Sequence, residues 1–159
     1  MRKILFLDFD GVLNCETTEE RYGSMFLGLE PEKINLLNEI VERTSVEIVI
    51  SSTWKMSHTH EELAGLLEGG GFKHGDKIIG CTPDIYAYGK IIQVFAPRHE
   101  EIQKWLDESG SDVDSFIILD DIGDMGALQG HLVQTSWESG LCREVVEKVV
   151  EGLKKGAIR

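Results

Sequence analysis

Three short apolar runs, Ile4-Leu5-Phe6-Leu7, Val46-Glu47-Ile48-Val49-Ile50 and Phe116-Ile117-Ile118-Leu119, punctuate the chain, with stretches of helical spacing between them. Runs that are apolar at nearly every position read as strands buried on both faces. Buried strands alternating with helical segments build a parallel sheet with helices packed on either side. The expected fold is therefore α/β, a doubly wound and mostly parallel sheet, and 159 residues suit one domain of this kind, spanning 1–159.

The helical segments are legible from their punctuation. Glu30-Pro31-Glu32 looks like a helix start, with proline in the first turn and acids at the positive end of the dipole, and Ile34, Leu37, Ile40 and Val41 form its apolar stripe. A second helix is expected from about Ser57 to Leu67, stopped by Gly69-Gly70-Gly71. Those glycines lack the Gly-Lys-Ser/Thr that would make them a phosphate loop. Arg98 to about Ser109 carries Ile102, Trp105 and Leu106 on one face, and after a short strand, Leu132-Val133-Gln134, a last helix presents Val145, Val146, Val149, Val150 and Leu153. Glu144 and Lys148 stand four residues apart on it, placed to pair. Two stretches have no clear period. Residues 14–30 suggest a hairpin excursion over the end of the first strand. Residues 72–97 suggest two short strands, Lys77-Ile78-Ile79-Gly80 and Ile91-Ile92-Gln93-Val94-Phe95, around a loop; at most these two stretches form a minimal cap.

Composition narrows the function classes. A net charge of −12 disfavours a broad phosphate-tracking surface, so nucleic acid is a less expected partner than a small phosphorylated substrate. No apolar run approaches the roughly 18 residues of a membrane span. The first strand begins at Lys3 or Ile4, which leaves no room for a signal peptide ahead of it, and a cytoplasmic location is expected. Cys15, Cys81 and Cys142 are far apart and odd in number, which fits free thiols rather than a disulfide framework or zinc ligands.

Chemistry gathers at the strand ends. The first strand runs into Asp8-Phe9-Asp10-Gly11, the second into Ser51-Ser52-Thr53, the third into Asp120-Asp121. In an open α/β sheet these carboxyl ends share one crevice, where ligands bind. Residues two apart on an extended chain point to one side, so Asp8 and Asp10 project together. Carboxylates that close repel unless a cation lies between them, and an oxygen-only donor set suits magnesium.

The order Asp8-Phe9-Asp10-Gly11-Val12-Leu13, Ser51, Arg98 and Asp120-Asp121 resembles the four motifs of the haloacid dehalogenase (HAD) superfamily of phosphotransferases. A closer likeness is to the small HAD domains of Swiss Army Knife RNA repair proteins. It is carried by Phe6 to Asn14, Ile50-Ser51-Ser52-Thr53-Trp54, Arg98-x-x-Glu101-Ile102-x-x-Trp105-Leu106, Ile118-Leu119-Asp120-Asp121 and Gly140-Leu141.

This resemblance implies a Rossmann-like core and a magnesium-dependent phosphomonoester hydrolase. Asp8 would be the nucleophile that becomes an aspartyl phosphate, and Asp10 the general acid and base. Magnesium would be held by Asp8, the Asp10 backbone carbonyl and an acid of the Asp120-Asp121 pair. Asp121 is favoured as that ligand, with Asp120 behind it; Asp124 is an alternative that fits a solvated helix-start acid better. Ser51 would donate its hydroxyl and nearby backbone amides to a phosphoryl oxygen, with Ser52 beside it as a further phosphate-binding candidate, while Ser52 and Thr53 are better suited to capping the next helix. Arg98 takes the place of the superfamily's usual lysine, with Lys90 and Lys104 as rivals. His58 and His60 fit a helix start better than a metal site. Trp54 is suited either to burial or to stacking on a base, and Cys15 lacks a histidine partner. Two other readings remain: a polynucleotide end-healing phosphatase, and a non-catalytic phosphate- or metal-binding regulatory domain on the same fold.

Overall fold

The computed structural model describes residues 2–23, 28–88 and 93–155. Its elements are β1 (Arg2–Leu7), α1 (Thr18–Tyr22), α2 (Pro31–Thr44), β2 (Glu47–Ile50), α3 (His60–Gly69), β3 (Ile78–Cys81), β4 (Tyr86–Tyr88), β5 (Gln93–Phe95), α4 (Arg98–Ser109), β6 (Val113–Asp120), β7 (Leu132–Gln134) and α5 (Arg143–Lys154). Five strands form one sheet in the order β3-β2-β1-β6-β7, and every neighbouring pair is parallel. This is the parallel α/β sheet expected from the three apolar runs, and it has the Rossmann-like form that the resemblance implied.

Alternation along the central strands divides the core between two faces. Leu5, Leu7, Ile48, Ile50, Ile117 and Leu119 pack with the apolar stripes of α2, α3 and α5. Ile4, Phe6, Val49 and Ile118 pack with Ile102 and Trp105 of α4 and with Met125 and Leu128. Phe6 is fully buried and meets the Trp105 ring edge-on at 5.4 Å. Burying such a side chain contributes about 1.5–3 kcal/mol.

Register places the chemistry. Leu7 lies opposite both Ile50 and Leu119, so the three central strands end level. The ladder continues one step beyond them, where the Asp8 amide donates to the Leu119 carbonyl at 3.0 Å and the Ser51 amide to the Leu7 carbonyl at 2.8 Å. Asp8, Ser51 and Asp120 therefore leave the sheet side by side.

Local chemistry corrects several boundaries. In the segment 14–30 the described residues contain the short helix α1 in place of a hairpin, and 24–27 lie outside the described residues. The helix expected from Ser57 starts at His60, because Thr59 and Glu62 form a reciprocal capping box there. The residues before it, Thr53–Met56, form a separate 3₁₀ turn capped by Ser52. The strand expected at 77–80 is β3, at the sheet edge. Of the one expected at 91–95, Gln93–Phe95 form β5, which pairs antiparallel with β4 outside the main sheet, and 91–92 lie outside the described residues.

Candidate active site

Asp8, Asp120 and Asp121 each bring a carboxylate oxygen within 4.8 Å of the others. Asp8 and Asp120 are buried, and Arg98 at the first turn of α4 reaches both, with Nη1 2.7 Å from Asp120 Oδ2 and 3.3 Å from Asp8 Oδ1. The same Nη1 donates to the Ser51 carbonyl at 2.6 Å, which ties α4 to the end of β2. Burial first, then the facing Asp120 carboxylate, push Asp8 up to about 8 against the pull of Arg98. Asp120 is raised as well, by burial, with Arg98 opposing. Three carboxylates against one guanidinium leave an excess of negative charge that a hard divalent cation would relieve, and oxygen donors at this spacing suit one. Ser51 Oγ is buried beside them and has no hydrogen-bond partner among the described residues.

The turn after β1 is shaped by Gly11, whose φ of +79° disfavours a side chain; a Cβ there would run into the Asp121 carboxylate. Thr135 Oγ1 donates to the Gly11 carbonyl at 2.7 Å, and the Gly11 amide donates to Asn14 Oδ1 at 2.9 Å. Asp10 thus stands exposed at the mouth of the crevice, and both of its oxygens are engaged. Asn14 Nδ2 donates to Oδ1 at 2.9 Å, and the Trp54 indole Nε1 donates to Oδ2 at 3.0 Å. The Asp10 carboxylate is not one of the three in the acidic cluster. Trp54 is the residue that sequence reasoning underrated: it packs edge-on against Phe9 at 5.4 Å while its N–H holds Asp10. Its place directly after Ser51-Ser52-Thr53 is the only trace of this role in the sequence.

Other expected residues fall elsewhere. Ser52 is buried, and its hydroxyl accepts from the Trp54 amide at 3.3 Å, so it caps the 3₁₀ turn. Asp124 caps the Gly126 amide at 3.0 Å and does not join the acidic cluster. Lys104 lies on the exposed side of α4, 4.0 Å from Glu108. Lys90 lies outside the described residues. His60 sits against Glu61 and His58 beside Trp54, and neither belongs to an acidic group. Cys15 is buried against Thr17, Thr18 and Arg21, away from any histidine contact. All three cysteines are free.

A buried cation escaped the sequence reading. Lys55 Nζ lies 3.1 Å from both Glu101 and Asp84 and donates to the Thr82 carbonyl and hydroxyl. Glu101 is one turn beyond Arg98, so this pair clamps the start of α4 onto the segment after β2. A lysine inside a Thr-Trp-Lys-Met string gives no periodic signal of burial.

The acids, the guanidinium and the unpaired serine converge where a tetrahedral oxyanion could meet a carboxylate oxygen, a hydroxyl donor and a cation together. No curated protein and no solved structure matches the chain. A family model described as the HAD domain in Swiss Army Knife RNA repair proteins matches residues 4–146, from within β1 into α5, and takes in each of these residues. The chain belongs to that HAD domain family.

Proposed function

We propose that this protein is a magnesium-dependent phosphomonoester hydrolase working through an aspartyl phosphate on Asp8, with a small phosphorylated metabolite or nucleotide as substrate. The family suggests a phosphatase-type hydrolase. The observation that carries the finer reading is the convergence of Asp8, Arg98 and the unpartnered Ser51 hydroxyl within the acidic cluster.

Asp8 attacks phosphorus in line, forming the Asp8–phosphorus bond as the bond to the leaving oxygen breaks. Asp10, held by Asn14 and Trp54, gives its proton to that oxygen. Asp10 then takes a proton from water, which attacks the phosphoryl group and returns Asp8 as carboxylate with inorganic phosphate. Ser51 donates its hydroxyl to a phosphoryl oxygen, and Arg98 balances charge between Asp8 and Asp120. Asp8, Asp120 and Asp121 have the donor chemistry to hold magnesium, with Asp121, half-buried beside Gly11, completing the set. Bound there, the ion supplies the divalent charge that lets an anionic ester approach three carboxylates.

A second reading, a phosphatase that heals polynucleotide ends, is favoured by the family's occurrence in RNA repair proteins. It needs a surface that tolerates a polyanion, which the charge of −12 opposes.

The test is hydrolysis of p-nitrophenyl phosphate with and without magnesium. The wild type is expected to turn over only with the metal, and Asp8→Asn to fall by at least about a thousandfold, since nucleophile and ligand are lost together. A variant that hydrolyses at a near-native rate would overturn the mechanism.

A further inference from the structure

Asp10 opens onto a cavity of about 570 Å³, within the range of roughly 300–1,000 Å³ usual for small-molecule sites. Because Asp10 is the group assigned to the leaving oxygen, the body of the leaving alcohol must lie near this cavity. Its walls include Trp54, His58, Leu66, Thr53 and Ser57. Among the described lining residues Asp10 is the only acid and there is no lysine or arginine, so a second phosphate or a carboxylate on the leaving group would meet the Asp10 carboxylate with no lysine or arginine to balance it. A neighbouring cavity of about 310 Å³, sharing Asp10 and Trp54, is lined by Glu16 and Glu19 and repels an anionic ester. The larger one is left for a neutral body.

Its shape of chemistry is specific. The rings of Trp54 and His58 lie 6.4 Å apart and only 31° from parallel, giving one wall two aromatic surfaces of similar orientation. Leu66 is 45% exposed, unusual for a leucine of α3, whose other leucines Leu63 and Leu67 are buried, and it borders this space. Thr53 and Ser57, both bearing hydroxyls, belong to the same lining, a composition suited to the polar edge of a ring. An acyclic alcohol would leave the aromatic surfaces bare, whereas a flat heterocycle covers them and reaches the hydroxyls.

We propose that this cavity binds a neutral heteroaromatic ring of the leaving alcohol, which makes nucleoside monophosphates the substrate class. The assignment rests on the phosphatase reading above for its direction, but the ring site has its own readout. Adenosine, which has no phosphate, should shift the Trp54 indole N–H signal of ¹⁵N-labelled protein in a saturable way, the signal being identified by its loss in Trp54→Phe. In the enzyme loaded with magnesium, kcat/KM for adenosine monophosphate should exceed that for glycerol phosphate. The double variant His58→Ala, Leu66→Gln should lower that ratio at least tenfold. The phosphate is common to both esters, so the ratio compares the two leaving alcohols, and its fall in the double variant assigns the difference to this cavity. An indole signal that ignores adenosine, or a ratio unchanged in the double variant, overturns the ring site. Failure to hydrolyse either ester overturns the phosphatase reading instead, and the adenosine titration still decides the cavity.

Discussion

Asp8 and Asp10 are two residues apart and chemically identical, yet their surroundings separate their tasks. Asp8 is buried with Asp120 and Arg98, where a carboxylate is costly unless a cation is near; Asp10 is exposed, with a neutral donor on each oxygen. The second donor is the Trp54 indole, and its contribution can be isolated. Trp54→Phe keeps an aromatic ring to pack against Phe9 and removes the indole N–H that orients Asp10. For an alkyl phosphate, whose leaving oxygen needs a proton, the phosphorylation step should slow about tenfold in this variant. For p-nitrophenyl phosphate, whose phenolate leaves unaided, the same step should change little. Equal losses across a leaving-group series in single-turnover measurements would remove Trp54 from the positioning of Asp10.

At the scale of elements, the loop that carries Asp10 is braced from below by a buried charge cluster. Glu30, at the start of α2 and fully buried, accepts from Thr18 Oγ1 at 2.5 Å and from Arg21 of α1 at 2.6 Å, and Lys33 lies 3.4 Å away. Lys33 continues to the Ser139 carbonyl at 2.7 Å, beside Gly140, whose φ of +60° lets the backbone pass close to the Val12 and Asn14 carbonyls. Burial is the largest influence on Glu30 and raises its pKa, but Thr18, Lys33 and Arg21 together outweigh it and hold the carboxyl below its ordinary value. A lowered folded-state pKa means stability that is present above the unfolded value, near pH 4.3, and lost as pH falls through the folded one. Glu30→Gln should therefore cost about 3 kcal/mol at pH 7, the low end for a buried pair because Arg21 is partly exposed and screened. In urea unfolding the gap between wild type and variant should close below about pH 4; a gap independent of pH would place the stabilisation elsewhere. None of this brace was legible in the sequence, because a buried Glu-Lys pair in a helix start has the same spacing as a solvated one. The sheet was legible, since apolar runs in β1, β2 and β6 can only be buried twice. So were Asp8, Asp10, Ser51, Arg98 and the Asp120-Asp121 pair, because strand ends and a helix start locate them without tertiary detail. Residues 14–30 and 72–97 resisted reading because α1, β4 and β5 are too short to set up a period. Ser52 and Thr53 could not be ranked until the 3₁₀ turn showed which hydroxyl was spent on a cap.

For the molecule as a whole, overall charge and family membership pull in different directions. Among the described residues no helix is long and apolar enough to cross a membrane, and acids outnumber bases by 28 to 16. Electrostatics alone then predicts that kcat/KM for a mononucleotide exceeds that for a matched end-phosphorylated oligonucleotide and depends weakly on salt. An oligonucleotide preferred by tenfold or more, losing its advantage as ionic strength rises, would instead favour the end-healing reading. Beneath either substrate lies the claim that Asp8 becomes phosphorylated, and one experiment addresses it directly. In Asp10→Asn, p-nitrophenyl phosphate should still phosphorylate the protein, while removal of the phosphoryl group, which needs a base, should stall. Acid quenching within a single turnover, followed by peptide mass analysis, should find the phosphoryl group on Asp8 when magnesium is present and find none after chelation. Release of p-nitrophenol by this variant with Asp8 unmodified, or with the group on another residue, would contradict the account.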